Sequence, residues 1–110
     1  MSLHNRTLPA LLAGAALMAL AACAGPNQAL EAARAEVTAA QADPDLQKYA
    51  PGELAQVETA LKAADTSYAE DGDVDTVNSK AYVVSQNVAI ARAAAEERRA
   101  TENVANLGAE

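Results

Sequence analysis

Apolar residues recur three and four positions apart in three stretches of the chain, and each stretch is closed by residues that a helix tolerates poorly. In the first, Leu30, Ala33, Val37 and Ala40 line one face of a helix expected from about Asn27, a capping residue, to Ala42. It stops at Ala42-Asp43-Pro44-Asp45, because the residue before a proline is pushed out of the helical region and Asp favours turns. The second starts at Tyr49-Ala50-Pro51-Gly52-Glu53-Leu54. With Ala50 as cap, Pro51 takes the first helical position, where its missing N–H costs nothing. Glu53, at the third, can reach back to the cap amide or meet the positive helix end. Tyr49 and Leu54 then hold the two places of a hydrophobic staple, and Leu54, Val57, Leu61, Ala64 and Tyr68 continue one stripe. Glu58 stands four residues before Lys62 on the solvent side, and Gly72 permits a left-handed stop.

The third pattern is the longest. It is expected to start at Asp73 as cap and to run to about Leu107, before Gly108, with Val77, Ala81, Val84, Val88, Ala91 and Ala95 on one stripe. Along that stripe Arg98 and Glu102 come next, so the apolar seam fades while helix-forming residues continue. At about 1.5 Å per residue this helix is on the order of 50 Å long, more than either earlier helix can cover. Its C-terminal third is therefore expected to be a protruding arm, a fraying end or a surface for another chain. The fold expected is all-α: a small antiparallel helical hairpin or three-helix bundle with a long C-terminal helix, occupying residues 27–110 and preceded by a cleaved signal peptide.

Composition changes this picture only in scale. The chain has 110 residues, 30 of them Ala, and neither Phe nor Trp, so the core must be built from small side chains and cannot enclose a deep ligand pocket. The net charge is −7, and residues 23–110 hold seven Lys and Arg against fifteen Asp and Glu. Nucleic-acid binders need clustered positive charge, so no nucleic-acid partner is expected.

The N-terminus assigns a compartment. Met1 to Thr7 carry one permanent cation, Arg6, and no acid, and the apolar run from Leu8 to Ala22 ends in small residues, the pattern of a secretory signal peptide over residues 1–22. A membrane-spanning anchor competes, but the run is short of the ~20 residues that cross the hydrocarbon core, and Pro9 and Gly14 weaken it as a helix. Leu20-Ala21-Ala22-Cys23 resembles the lipobox of bacterial lipoproteins. That resemblance implies acyl chains on the Cys23 sulfur, cleavage before Cys23 and residues 23–26 as a lipidated tether. Ala24 in the following position implies the outer membrane, with the protein facing the periplasm. Two or more acyl chains make such an anchor stable. A competing reading takes Ala22-Cys23-Ala24 as an ordinary small-x-small cleavage site, giving a soluble periplasmic protein, but it leaves the only cysteine of an exported chain without a reason.

Over roughly residues 20 to 105 the chain resembles the small bacterial lipoproteins that carry domain of unknown function 4398. The resemblance is carried by the lipobox, by Tyr49-Ala50-Pro51 followed by Leu54 and Leu61, and by the Ala-rich stretch around Ala81, Ala89, Ala91 and Ala93. The chain departs from it at Val57, where a small residue is usual, and at the acidic turn Glu70-Asp71-Gly72-Asp73. The resemblance implies an exported helical envelope protein and defines no catalytic residue.

The candidate chemistry is sparse. Asp71, Asp73 and Asp75 suggest a calcium loop, but with Gly72 at its sixth position the first, third and twelfth fall on Ser67, Ala69 and Asn78, where carboxylates are required. Turn and cap chemistry accounts for these acids, and no metal or other cofactor is expected. Tyr49, Tyr68 and Tyr82 read as packing residues, and the only histidine, His4, leaves with the signal peptide. Without a histidine, free thiol or phosphate loop, no enzymatic activity is expected. The expected role is an envelope accessory protein that binds an envelope protein or the cell wall through its helices, with Arg98 and Arg99 as candidate partner-binding residues. Glu96, Glu97 and Glu102 neutralise that pair locally. The alternative is a structural spacer or self-assembling coiled coil between outer membrane and cell wall, and a homo-oligomer is compatible with both.

Overall fold

The computed structural model describes residues 26–109, which lie almost wholly in four helices: α1 (Gln28–Ala42), α2 (Pro44–Tyr49), α3 (Pro51–Glu70) and α4 (Val74–Ala109). The expected signal peptide, His4, the lipobox residues Leu20, Ala21 and Ala22, and Cys23 lie outside the described residues. The all-helical class and the long C-terminal helix are as expected from the sequence. The number of helices is not: α2 is an additional element in what was expected to be a three-helix bundle.

Local chemistry explains each boundary. The Asn27 side chain accepts from the Leu30 N–H at 2.8 Å and caps α1. Asp43 closes one helix and opens the next. Its N–H donates to the Ala40 carbonyl at 3.2 Å, its carboxylate accepts from the Asp45 N–H at 2.9 Å, and Pro44 follows at the first position of α2. The Asp-Pro pair that stops α1 is thus also a start signal. At the next junction the Ala50 N–H already donates to the Leu46 carbonyl at 2.9 Å, so α3 begins with no side-chain cap and the expected return of Glu53 to that amide does not form. Gly72, at φ +69°, takes the left-handed turn, and its N–H and that of Asp71 both donate to the Ser67 carbonyl. Asp73 then accepts from the Thr76 N–H at 3.0 Å and from its hydroxyl at 2.7 Å, opening α4 as expected. At its far end α4 continues through Gly108 to Ala109, two residues beyond the expected stop.

Cross-helix bonds set the directions. Between α1 and α4, Asn27 donates to Asn78 at 3.0 Å, Ser85 to Glu36 at 3.3 Å and Arg92 to Asp43 at 3.3 Å. These residue numbers rise together, so the two helices run parallel. Between α1 and α3, Arg34 pairs with Asp65 at 2.7 Å and Gln41 donates to Glu58 at 3.0 Å; here one number rises as the other falls, and the helices are antiparallel. α2 resumes the line of α1 after the proline break, and together they accompany α4 from Asn78 to Glu102.

The core fills the space between these helices with small side chains. Leu30, Leu46, Val37, Val57, Val77 and Val84 are its largest fully buried members, and Val88, Ala33, Ala40, Ala50, Ala64, Ala81, Ala91 and Ala95 complete it. Where alanine faces alanine, helices can pack near the short end of the usual 8–10 Å interaxial distance. All six expected stripe positions of α4 and all four of α1 are buried. In α3 only Val57 and Ala64 are fully buried; Leu54 and Leu61 are half-buried and Tyr68 is exposed, a correction to the expected continuous stripe. Leu46 was absent from any expected stripe and is 1% exposed.

Candidate interaction surface

Past Ala95 the face of α4 that meets the core carries charges, and the structure shows where they go. Arg98 donates through two nitrogens to both carboxylate oxygens of Glu53, at 3.0 and 2.8 Å, and also to the Tyr49 carbonyl at 2.7 Å. Arg99 reaches Asp45 at 2.8 Å, and Lys48 lies 3.4 Å from Glu102. Arg92, two turns before Arg99, takes Asp43. The basic side of α4 is therefore matched by acids that proline-led helix starts present in the first turns of α2 and α3 and at the junction between α1 and α2. Negative groups are favoured at helix N-termini, and here they also serve as the docking partners of a neighbouring helix.

Arg98 and Arg99, the candidate partner-binding residues, are brought together with Asp45, Glu53 and Tyr49 rather than left free. The expected protruding third of α4 is correspondingly shorter: α2 accompanies the helix as far as Glu102, and only residues 103–109 run beyond the last cross-helix bond. Sequence reasoning missed Glu53 and Asp45 as the partners of Arg98 and Arg99, and Asp43 as the partner of Arg92. The available signal was their placement beside Pro44 and Pro51, which marks helix starts and hence a positive end where acids gather.

The electrostatics of this surface follow from its ion pairs and helix caps. Glu53 is held below the ordinary carboxylate range, first by the hydrogen bond from Arg98 and then by its own backbone N–H. Asp73 is held below it by the Thr76 hydroxyl and then the Thr76 N–H. Both shifts keep the group ionised, the reverse of what a proton-donating carboxyl requires. Lys48 is shifted upward, first by Tyr49, whose ring centroid is 4.8 Å from its Nζ, and then by Glu102. Among the described residues no polar or charged side chain is buried, and no group of three or more His, Cys, Asp or Glu is arranged to hold a metal ion. Asp71 and Asp73 act as the C-cap of α3 and the N-cap of α4.

Two apolar regions are left uncovered. One is the outer side of α4, where Tyr82, Val83 and Ile90 are exposed, the last two beside a shallow groove between α3 and α4 lined by Ala55, Gln56, Thr59, Ala60, Ala63 and Asn87. The other is the end of the same helix, where Val104 and Leu107 are 68% and 71% exposed, the most exposed large apolar side chains among the described residues. Tyr49 is half-buried against the core and Tyr68 lies at the bundle end near Asn27 and Gly72. No helix among the described residues is long and apolar enough to cross a membrane.

Residues 28–107, nearly all of the helical part, match the family described as Domain of unknown function (DUF4398). The chain belongs to that family. The match covers all of α1, α2 and α3 and nearly all of α4, so the Asp43-Pro44 and Ala50-Pro51 junctions and the arginines of α4 fall inside the family domain. No curated protein and no solved structure matches the chain significantly.

Proposed function

We propose that this member of the DUF4398 family is a non-enzymatic lipoprotein, held by acyl chains on Cys23 in the outer membrane, that faces the periplasm and binds another envelope protein through the free end of α4. The observation that carries the reading is the exposure of Val104 and Leu107. With Ala100 they form an i, i+4, i+7 row, the spacing by which an amphipathic helix anchors in a partner's groove. The helix runs about 10 Å past its last intrachain partner at this point, a length that serves no purpose within the bundle. Arg98 and Arg99 contribute by locking the base of this segment to α2 and α3, so that the row is presented on a rigid helix.

Two measurements test the reading. Cys23→Ser should abolish acylation and move the protein from the membrane to the soluble fraction; unchanged partition into detergent would refute the anchor. Val104→Asp with Leu107→Asp should remove cross-links to a larger envelope protein in intact cells while helicity by circular dichroism stays the same. Retention of every cross-link in that variant would refute the tip as the binding surface.

A further inference from the structure

On the outer side of α4, Val83, Ile90, Glu97 and Val104 recur every seven residues, and Lys80, Asn87, Ala94 and Thr101 recur every seven residues three places earlier. This is heptad spacing, and it lies away from the stripe that α4 buries in its own bundle. Val83 and Ile90 are 49% and 55% exposed, while Lys80, Asn87 and Ala94 are half-buried and Asn87 lines the α3–α4 groove. A second helix laid on this seam would touch Val83 and Ile90 on α4 and the small side chains Ala55, Thr59 and Ala63 on α3.

Charge identifies the occupant. Among the described cations, Arg34, Lys48, Arg92, Arg98 and Arg99 are each paired with an acid of the same chain, and Lys62 and Lys80 are in no ion pair. Lys80 stands at one end of the seam and the exposed Glu97 at the other, with Val83, Asn87, Ile90 and Ala94 between them. We propose that this seam pairs with the same seam of a second copy, antiparallel, with Lys80 of each copy against Glu97 of the other. The same register sets Val83 against Ala94 and Asn87 against Ile90, so that larger side chains face smaller or polar ones in every layer. A parallel, in-register pair would instead stack Lys80 on Lys80 and Glu97 on Glu97, which costs energy twice. The contact is isologous and closes at two copies. In this register Val104 falls opposite Asp73, at the start of the other copy's α4, and Leu107 lies beyond that helix's first residue.

If the membrane anchor also holds, the pair has a defined posture. Asn27 is bonded to Asn78, and in this register residue 78 lies opposite residue 99 of the other copy, so the two anchored ends are about 30 Å apart along the pair. Both reach one leaflet only when the helices lie along the membrane rather than upright. Self-association itself does not depend on the anchor, so the two readings fail separately.

The test uses the full chain in intact cells, with cysteine cross-links mapped by peptide mass so that products through Cys23 are recognised. Val83→Cys together with Ala94→Cys should give a covalent dimer joined 83 to 94. The two positions are roughly 16 Å apart along one helix, too far to bridge within a copy. Val83→Cys alone should give at most about one tenth of that yield, because its counterpart lies the same ~16 Å away. Charge supplies the second arm: Lys80→Glu should weaken dimerisation of the purified chain by about tenfold, and Lys80→Glu with Glu97→Lys should restore it to within about threefold. A single-cysteine dimer at position 83 as abundant as the 83–94 product, cross-linking of position 83 to a different protein, or no restoration by the double charge swap would overturn the proposal.

Discussion

Leu46 is the strongest single test of how this small core is held. It lies in a helix of six residues and is 1% exposed, the only fully buried large side chain that α2 contributes. Leu46→Ala removes three carbons from a fully dry site. At about 0.8 kcal/mol per buried methylene the transfer loss is about 2.4 kcal/mol, and the cavity left between α2 and α4 brings the total to about 3. Leu61, on α3, is half-buried and keeps one side in water, so Leu61→Ala should cost about 1 kcal/mol. A domain of this size has a total stability on the order of 4–12 kcal/mol, and the urea slope should be near 1 kcal/mol per molar. The expected result is a midpoint lowered by about 3 M for Leu46→Ala and by about 1 M for Leu61→Ala, with the slope unchanged. Circular dichroism suits the measurement, because six residues of α2 contribute little signal and a large shift must report loss of α1, α3 and α4 with it. Equal shifts, or an unchanged midpoint with a reduced slope for Leu46→Ala, would show that α2 docks as an independent flap and that the core does not unfold as one unit.

Three further outcomes are expected. Gly72→Ala should destabilise by about 1 kcal/mol through the positive φ alone, since a Cβ there meets only the Tyr68 carbonyl oxygen at an ordinary 3.5 Å, and Gly72→Asn should cost less; thermal melting checks the order. Glu53 and Asp73 have folded pKa values below their unfolded ones, so their contribution is complete above the ordinary carboxylate range near pH 4 and is lost as pH falls through the folded values. Urea midpoints for Glu53→Gln and Asp73→Asn, followed from pH 6 to pH 2, should therefore fall less steeply in acid than those of the unaltered chain. Truncation after Glu102 removes, among the described residues, only exposed ones and should change stability by less than about 0.5 kcal/mol in the same assay, whereas truncation after Glu97, which takes Arg98 and Arg99 as well, should cost visibly more.

What could be read along the chain was whatever neighbours within four or five residues decide. The Asn27 and Asp73 caps, the left-handed Gly72, the Pro51 start and the buried stripe from Val77 to Ala95 each depend on local backbone chemistry or on a period sustained over many turns, and each stands in the structure as the sequence implied. Six residues of α2 are too few to display a period, so Asp43-Pro44 could be read as a stop with equal right, and Leu46 carried no mark of its burial. The α3 stripe is narrower than its spacing implies because a helical period shows which face is apolar but not how broad its neighbour is; α1 and α4 cover Val57 and Ala64 while leaving Leu61 and Tyr68 partly in water. Arg98 and Arg99 were the hardest case. Glu96, Glu97 and Glu102 lie beside them in sequence, but their main acids, Glu53 and Asp45, are brought up from 45 and 54 positions away. That pairing follows from α2 resuming the line of α1 alongside α4, a relation between helix directions that only packing sets, because a helical period specifies which face is buried and says nothing about which helix will bury it.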